Sequence, residues 1–279
     1  MRYAELFADA LRALRGPKKE ELPAALEALI ESSFAISRTQ FWIRKNQAIH
    51  DAAGLKRFRR AFRRLLAGEP LAYILKEKEF YGECLIVSPA VLVPRPETEL
   101  LVEKALEILG VRPARVLDIG AGSGNISVVL ALRSQAMVTA LELSRPALRI
   151  LRRNIARLGV QNRVRALAGD LFPREAEAFQ MIVANPPYLS RKDWREAPAS
   201  IRNYEPKTAL VAGPRGTEIL ARIVARASRW LEPGGHLLLE IGQGQRRAVR
   251  GFLATAGLRE SECVRDYAGI ERVVVARPS

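Results

Sequence analysis

The sequence predicts an α/β fold, a mostly parallel sheet covered by helices on both faces and preceded by a small helical bundle. Three observations predict it. From residue 114 onward, apolar runs such as Val116-Leu117-Asp118-Ile119, Met137-Val138-Thr139-Ala140-Leu141 and Met181-Ile182-Val183-Ala184 alternate with stretches of helical length, the pattern of strands buried on both faces. Glycines and polar residues follow those runs directly, where ligands bind in such sheets. Residues 1 to 75, by contrast, show only helical periodicity.

In chain order, Tyr3 to Leu14, Glu20 to Glu31, Arg38 to Asn46 and Ala53 to Ala67 carry helical patterns. Gly16-Pro17, Ser32-Ser33, His50-Asp51 and Gly68-Glu69-Pro70 punctuate them as caps or turns. Lys56 to Arg64 holds six basic residues in nine, while Leu55, Phe58, Phe62, Leu65 and Leu66 recur at helical spacing. The aromatics then belong to a core and the charges to a solvated face. Residues 76–96 alternate short β-like runs with turns, as a hairpin connector does. Residues 97–279 form the second domain, opened by a helix from Glu97 to Leu109. Strands from Arg115, Met137, Val164 and Met181 then alternate with helices over Asn125 to Leu132, Pro146 to Leu158 and Thr217 to Leu231.

Chemistry concentrates at the strand ends. After Asp118 the glycines fall as G-x-G-x-G in Gly120-Ala121-Gly122-Ser123-Gly124, a loop that lets the backbone approach a ligand closely. A dinucleotide site needs G-x-G-x-x-G, so the spacing favours another cofactor. Glu142 ends the next strand and offers only acceptors, suited to a ribose diol. Asp170-Leu171 ends the third, with an acid for an adenine amine and an apolar side chain for its ring. Each acid alone also reads as a solvated strand end. Asn185-Pro186-Pro187-Tyr188 follows the fourth strand. The Asn185 side-chain carbonyl and the Pro186 backbone carbonyl are two acceptors for the hydrogens of a planar NH2 group, orienting its nitrogen for attack. The prolines stiffen the segment, and Tyr188 offers a flat face for an amide or base. Alone, the tetrapeptide would read equally as a Pro-rich turn.

This order of sites resembles the class I S-adenosylmethionine-dependent methyltransferases, with their Rossmann-like sheet. More narrowly, Gly68 to Ile74, Phe80-Tyr81-Gly82, Val91 to Glu99, the glycine loop, Asn185 to Tyr188, Tyr204-Glu205-Pro206, Leu239-Glu240-Ile241-Gly242 and Asp266 to Val275 resemble the release-factor glutamine N5-methyltransferases (the HemK/PrmC family). Lys76, where that family often has Gly, and Glu142, where it often has Asp, are departures. The resemblance implies S-adenosyl-L-methionine as cofactor and S-adenosyl-L-homocysteine as product. It implies binding by Asp118, Gly120 to Gly124, Glu142, Asp170, Leu171 and Asn185. It also implies a substrate glutamine, that of the Gly-Gly-Gln loop of class I peptide-chain release factors, held by Asn185, Pro186, Pro187 and Tyr188. The 1–75 bundle would then recognise that partner. An adenine N6-methyltransferase and a glutamine methyltransferase of a ribosomal protein are the alternatives.

Composition narrows the rest. The net charge of +15 rests on 36 Arg and 9 Lys, a skew that codon composition explains as readily as nucleic-acid contact, so nucleic acid is not required. Cys84 and Cys263 stand apart, with only His50 and His236 as further candidates, so no metal is expected. No charge-free apolar run reaches bilayer length, and the first residues lead into an amphipathic pattern rather than a signal peptide. A cytoplasmic monomer with no membrane contact is expected.

Overall fold

The structure, a computed structural model, describes residues 1–14, 22–175 and 177–279. The expected break at Gly16-Pro17 and the start of the helix at Glu20 lie outside them. The chain divides into two compact units, Met1–Lys76 and Glu77–Ser279.

The first unit is helical: α1 (Tyr3–Ala13), α2 (Leu22–Phe34), α3 (Arg38–Arg44), α4 (Ala52–Leu66) and the short α5 (Leu71–Leu75). Leu26, Leu29, Ile30, Phe41 and Phe58 make its dry core. Phe58 and Phe62 stack at 5.7 Å, placing the aromatics of α4 inside as their spacing requires. Ser37 caps α3 by accepting from the Gln40 N–H at 3.2 Å, and Asp51 caps α4 by accepting from Gly54 at 2.7 Å. Ser32-Ser33 is not a break. Ser33 is buried inside α2, and its carbonyl, near the helix end, accepts from Arg57 Nε at 2.8 Å. That tertiary partner lets the helix run on to a left-handed stop at Ala35 (φ 52°). α5 was not expected either, since it is only five residues long.

In the second unit a hairpin of β1 (Glu77–Phe80) and β2 (Glu83–Ile86) turns at Tyr81-Gly82. Both turn residues have positive φ, 51° and 77°, which matches the turn to strand twist. α6 (Glu97–Leu109), β3 (Ala114–Ile119), α7 (Asn125–Arg133), β4 (Ala136–Glu142), α8 (Arg145–Arg157), β5 (Val164–Ala168) and β6 (Phe179–Ala184) follow. A small β7 (Leu189–Ser190), α9 (Arg191–Glu196), α10 (Ala199–Tyr204) and β8 (Val211–Gly213) lead to α11 (Glu218–Ala227), β9 (Leu231–Glu240), α12 (Arg246–Thr255), β10 (Leu258–Arg265) and β11 (Glu271–Pro278). The helix expected to reach Leu231 stops at Ala227, because Leu231 is buried as the first residue of β9.

The seven-stranded sheet has the order β10-β11-β9-β6-β3-β4-β5. β9, β6, β3, β4 and β5 run parallel, and β11 enters antiparallel between β9 and β10. Side-chain alternation splits its apolar strands between two cores. Val116, Val138, Met181, Val183 and Leu238 face one; Leu117, Leu141, Ile182, Ala184 and Leu239 face the other. The chain reverses its direction of travel across the sheet between β3 and β6, the switch point at which such sheets bind ligands. Ile119 pairs with both Ala184 and Leu141, so the residues after those three strands emerge side by side.

Candidate active site

Beside the switch point lies a cavity of about 380 Å³. Gly120, Ala121, Gly122, Ser123, Glu142, Asp170, Leu171, Asn185 and Pro187 are among its walls. Gly120, Gly122 and Gly124 have φ of 74°, 57° and 86°, so the alternate glycines are a backbone requirement. The Gly120 and Ala121 N–H groups both donate to the Leu141 carbonyl, at 2.8 and 3.0 Å. A Cβ at Gly120 would meet nothing within 4 Å, whereas one at Gly124 would lie 2.5 Å from Leu151. The first faces open space beside the ligand cavity, and the last packs the loop against α8.

Glu142 is nearly buried. Its Oε2 accepts from the Gly122 N–H at 2.8 Å and its Oε1 from the Ser144 N–H at 2.7 Å, which fixes the carboxylate in the wall and leaves further lone pairs. Asp170 accepts from Arg222 Nη2 at 2.6 Å. Leu171 holds a left-handed φ of 64°, an uncommon conformation for a branched residue that recurs at ligand sites.

Four sequence-predicted residues are not cavity walls. Asp118 is buried beneath the loop, where it accepts from Ser127 Oγ at 2.5 Å. Burial pushes its carboxyl up to about 7, opposed by the Ser127 hydrogen bonds and reinforced by nearby Glu142. Asp118 braces α7 through Oδ2, while its Oδ1 is buried with no hydrogen-bond partner among the described residues. Gly124 is turned toward Leu151, and Pro186 is buried. Tyr188 lies against Gly242, with its hydroxyl toward Glu240 and its carbonyl accepting from Gln245 Nε2 at 2.8 Å. Burial and the Glu240 charge push the Tyr188 phenol up to about 12.

At the clamp, Asn185 Nδ2 donates to Thr98 Oγ1 at 2.9 Å. Among the described residues no donor reaches Asn185 Oδ1 or the Pro186 carbonyl, so two adjacent acceptors stand unclaimed.

Residues 5–75 match the model of the PrmC N-terminal domain, and residues 96–200 that of the methyltransferase small domain. The chain is 44% identical over 257 residues to the release factor glutamine methyltransferase of Bordetella pertussis, spanning 89% of this chain and 93% of that protein. The chain belongs to the release factor glutamine methyltransferase family. The namesake enzyme of Nitratidesulfovibrio vulgaris is 36% identical over 98% of this chain and 94% of its own length. A methyltransferase structure from Pyrococcus furiosus shares the fold, with a TM-score of 0.54, 20% identity, and 77% and 95% of the two chains covered.

In this release factor glutamine methyltransferase family member, several residues near the site escaped the sequence reading. Asn154, fully buried in α8, accepts from the Ile86 N–H at 2.7 Å and donates to the carbonyls of Ile86 and Ser123 at 2.9 and 2.8 Å. It ties β2 to the glycine loop. Arg95, within the run Val91 to Glu99, pairs with buried Glu205, whose other oxygen accepts from the Val93 N–H at 3.3 Å. Thr98, Arg222 and Thr208 also line the cavity. Only the Arg95 to Glu99 motif and Tyr204-Glu205-Pro206 carried a signal for any of these.

Proposed function

We propose that this chain transfers a methyl group from S-adenosyl-L-methionine to the side-chain amide nitrogen of the glutamine in the Gly-Gly-Gln loop of class I peptide-chain release factors, leaving S-adenosyl-L-homocysteine. The cavity fits the cofactor: an open glycine cradle, a fixed acceptor carboxylate at Glu142, and an acid beside an apolar wall at Asp170-Leu171. These residues would hold it, and when bound it supplies an electrophilic methyl on a sulfonium. The observation that carries the reading is the unclaimed acceptor Asn185 Oδ1 on the cavity wall, with the unclaimed Pro186 carbonyl next to it along the chain.

An amide nitrogen is a weak nucleophile because its lone pair is delocalised. Accepting both of its hydrogens fixes its plane and draws charge toward nitrogen as attack begins. Pro186 and Pro187 hold the acceptors still. The helical unit grips the release factor outside the loop, and a single cytoplasmic chain acts without nucleic acid.

Asn185→Ala is expected to leave the calorimetric affinity for S-adenosylmethionine within a few-fold of wild type and to abolish transfer to a purified release factor. Radiolabel should reach the intact factor, but neither its Gln-to-Ala loop variant nor adenine-containing duplex DNA. Label on DNA, or wild-type turnover in Asn185→Ala, would overturn the reading.

A further inference from the structure

Asn185 works in that reading only if its oxygen, not its NH2, meets the substrate. The two ends of a carboxamide are nearly isosteric. Presented the wrong way round, the Asn185 NH2 would set donor against the donors of the substrate amide. Something must hold the flip.

The neighbouring contacts do so by proton counting. Thr98 and Glu240 are each 1% exposed. The Thr98 hydroxyl has one hydrogen and gives it to Glu240 Oε2 at 2.7 Å. Toward Asn185, Thr98 Oγ1 is therefore an acceptor alone, and it takes the Nδ2 hydrogen at 2.9 Å. That leaves Oδ1 for the cavity that Asn185 lines.

We propose that Thr98 and Glu240 are positioning residues that lock the Asn185 carboxamide with its oxygen toward the substrate. This rests on the acceptor role of Asn185 argued above. The three residues come from the start of α6, the end of β6 and the end of β9, so the lock requires the finished sheet.

The lock has a direction in pH. Glu240 is pushed up to about 7 by burial; Thr98, Arg272 and Tyr188 oppose that rise and Glu97 adds to it. Arg272 is on β11, Glu97 and Thr98 on α6, and Tyr188 follows β6. When ionised, Glu240 can only accept, and the lock holds. Once protonated, it can donate to Thr98, whose own hydroxyl is then free to turn toward Asn185 and donate to Oδ1 instead. Oriented Asn185 is therefore gained as pH rises through about 7 and lost as pH falls through it.

The test uses the full chain, radiolabelled S-adenosylmethionine and a purified class I release factor, on either side of neutral pH. Thr98→Val is expected to lower kcat roughly 10²-fold while the calorimetric cofactor Kd stays within a few-fold. Thr98→Ser, which keeps the hydroxyl, should recover most of that loss. Wild-type kcat should show an acid limb that Glu240→Gln removes. Wild-type kcat in Thr98→Val alongside an inactive Asn185→Ala would overturn the lock and leave the acceptor role standing. So would an acid limb that persists unchanged in Glu240→Gln. Wild-type turnover in Asn185→Ala would instead remove the acceptor role, and the lock with it.

Discussion

Two residues with side chains on left-handed backbone show how the same strain serves different ends. Leu171, at φ 64°, is a wall of the cavity, so its side chain contributes where its backbone costs. Lys76, at φ 66°, merely ends α5, and the family often places Gly there. A left-handed L-residue costs about 1–2 kcal/mol, of which the larger unfolded-state entropy of glycine returns about 0.5–1 kcal/mol. Lys76→Gly is therefore expected to stabilise the protein by about 0.5 kcal/mol, read as a higher urea midpoint at unchanged slope. A lower midpoint would mean that the Lys76 side chain makes up for its own strain.

At the scale of elements, Asn154 is the joint between hairpin and glycine loop. Asn154→Ala strips partners from the Ile86 N–H, the Ile86 carbonyl and the Ser123 carbonyl together. A loss of about 3 kcal/mol and weaker cofactor binding are expected, by chemical denaturation and calorimetry; unchanged cofactor affinity would show that the loop holds its shape without the joint. The sequence made the central strands legible because a strand buried on both faces must be continuously apolar. It also displayed the candidate site residues that follow those strands, since a glycine loop and an Asn-Pro-Pro-Tyr segment owe the chemistry they offer to local spacing. Asn154, Ser127 and Thr98 were not legible as supports. Each is an ordinary polar residue in a helix until folding brings Ile86, Asp118 or Asn185 to it. The place of Asp118 under the loop, against Ser127, was not legible for the same reason, because local spacing does not specify which side of a loop a carboxylate occupies.

For the molecule as a whole, the net charge of +15 has a local expression on α4. Arg57 and Arg64 are turned to partners, Ser33 and Asp51 for one and Glu69 for the other, while Lys56, Arg59, Arg60 and Arg63 are exposed. Replacing Arg59, Arg60 and Arg63 with Gln is expected to raise KM for the release factor roughly tenfold at low salt and to flatten its salt dependence, with cofactor affinity unchanged. Unaltered salt dependence would leave that face merely solvated. The strand order carries a consequence for how the chain comes to life. β3 lies between β4, made next, and β6, made much later, and β9 must wait for β11 to cover its far edge. A nascent chain thus displays its glycine loop well before Asn185 has emerged, and Asn185 well before Glu240. Until the final strands leave the ribosome, the half-built sheet keeps an open edge and an unfinished clamp. A protein proposed to mature the factors that end translation can begin work only once its own β9 to β11 have left the ribosome.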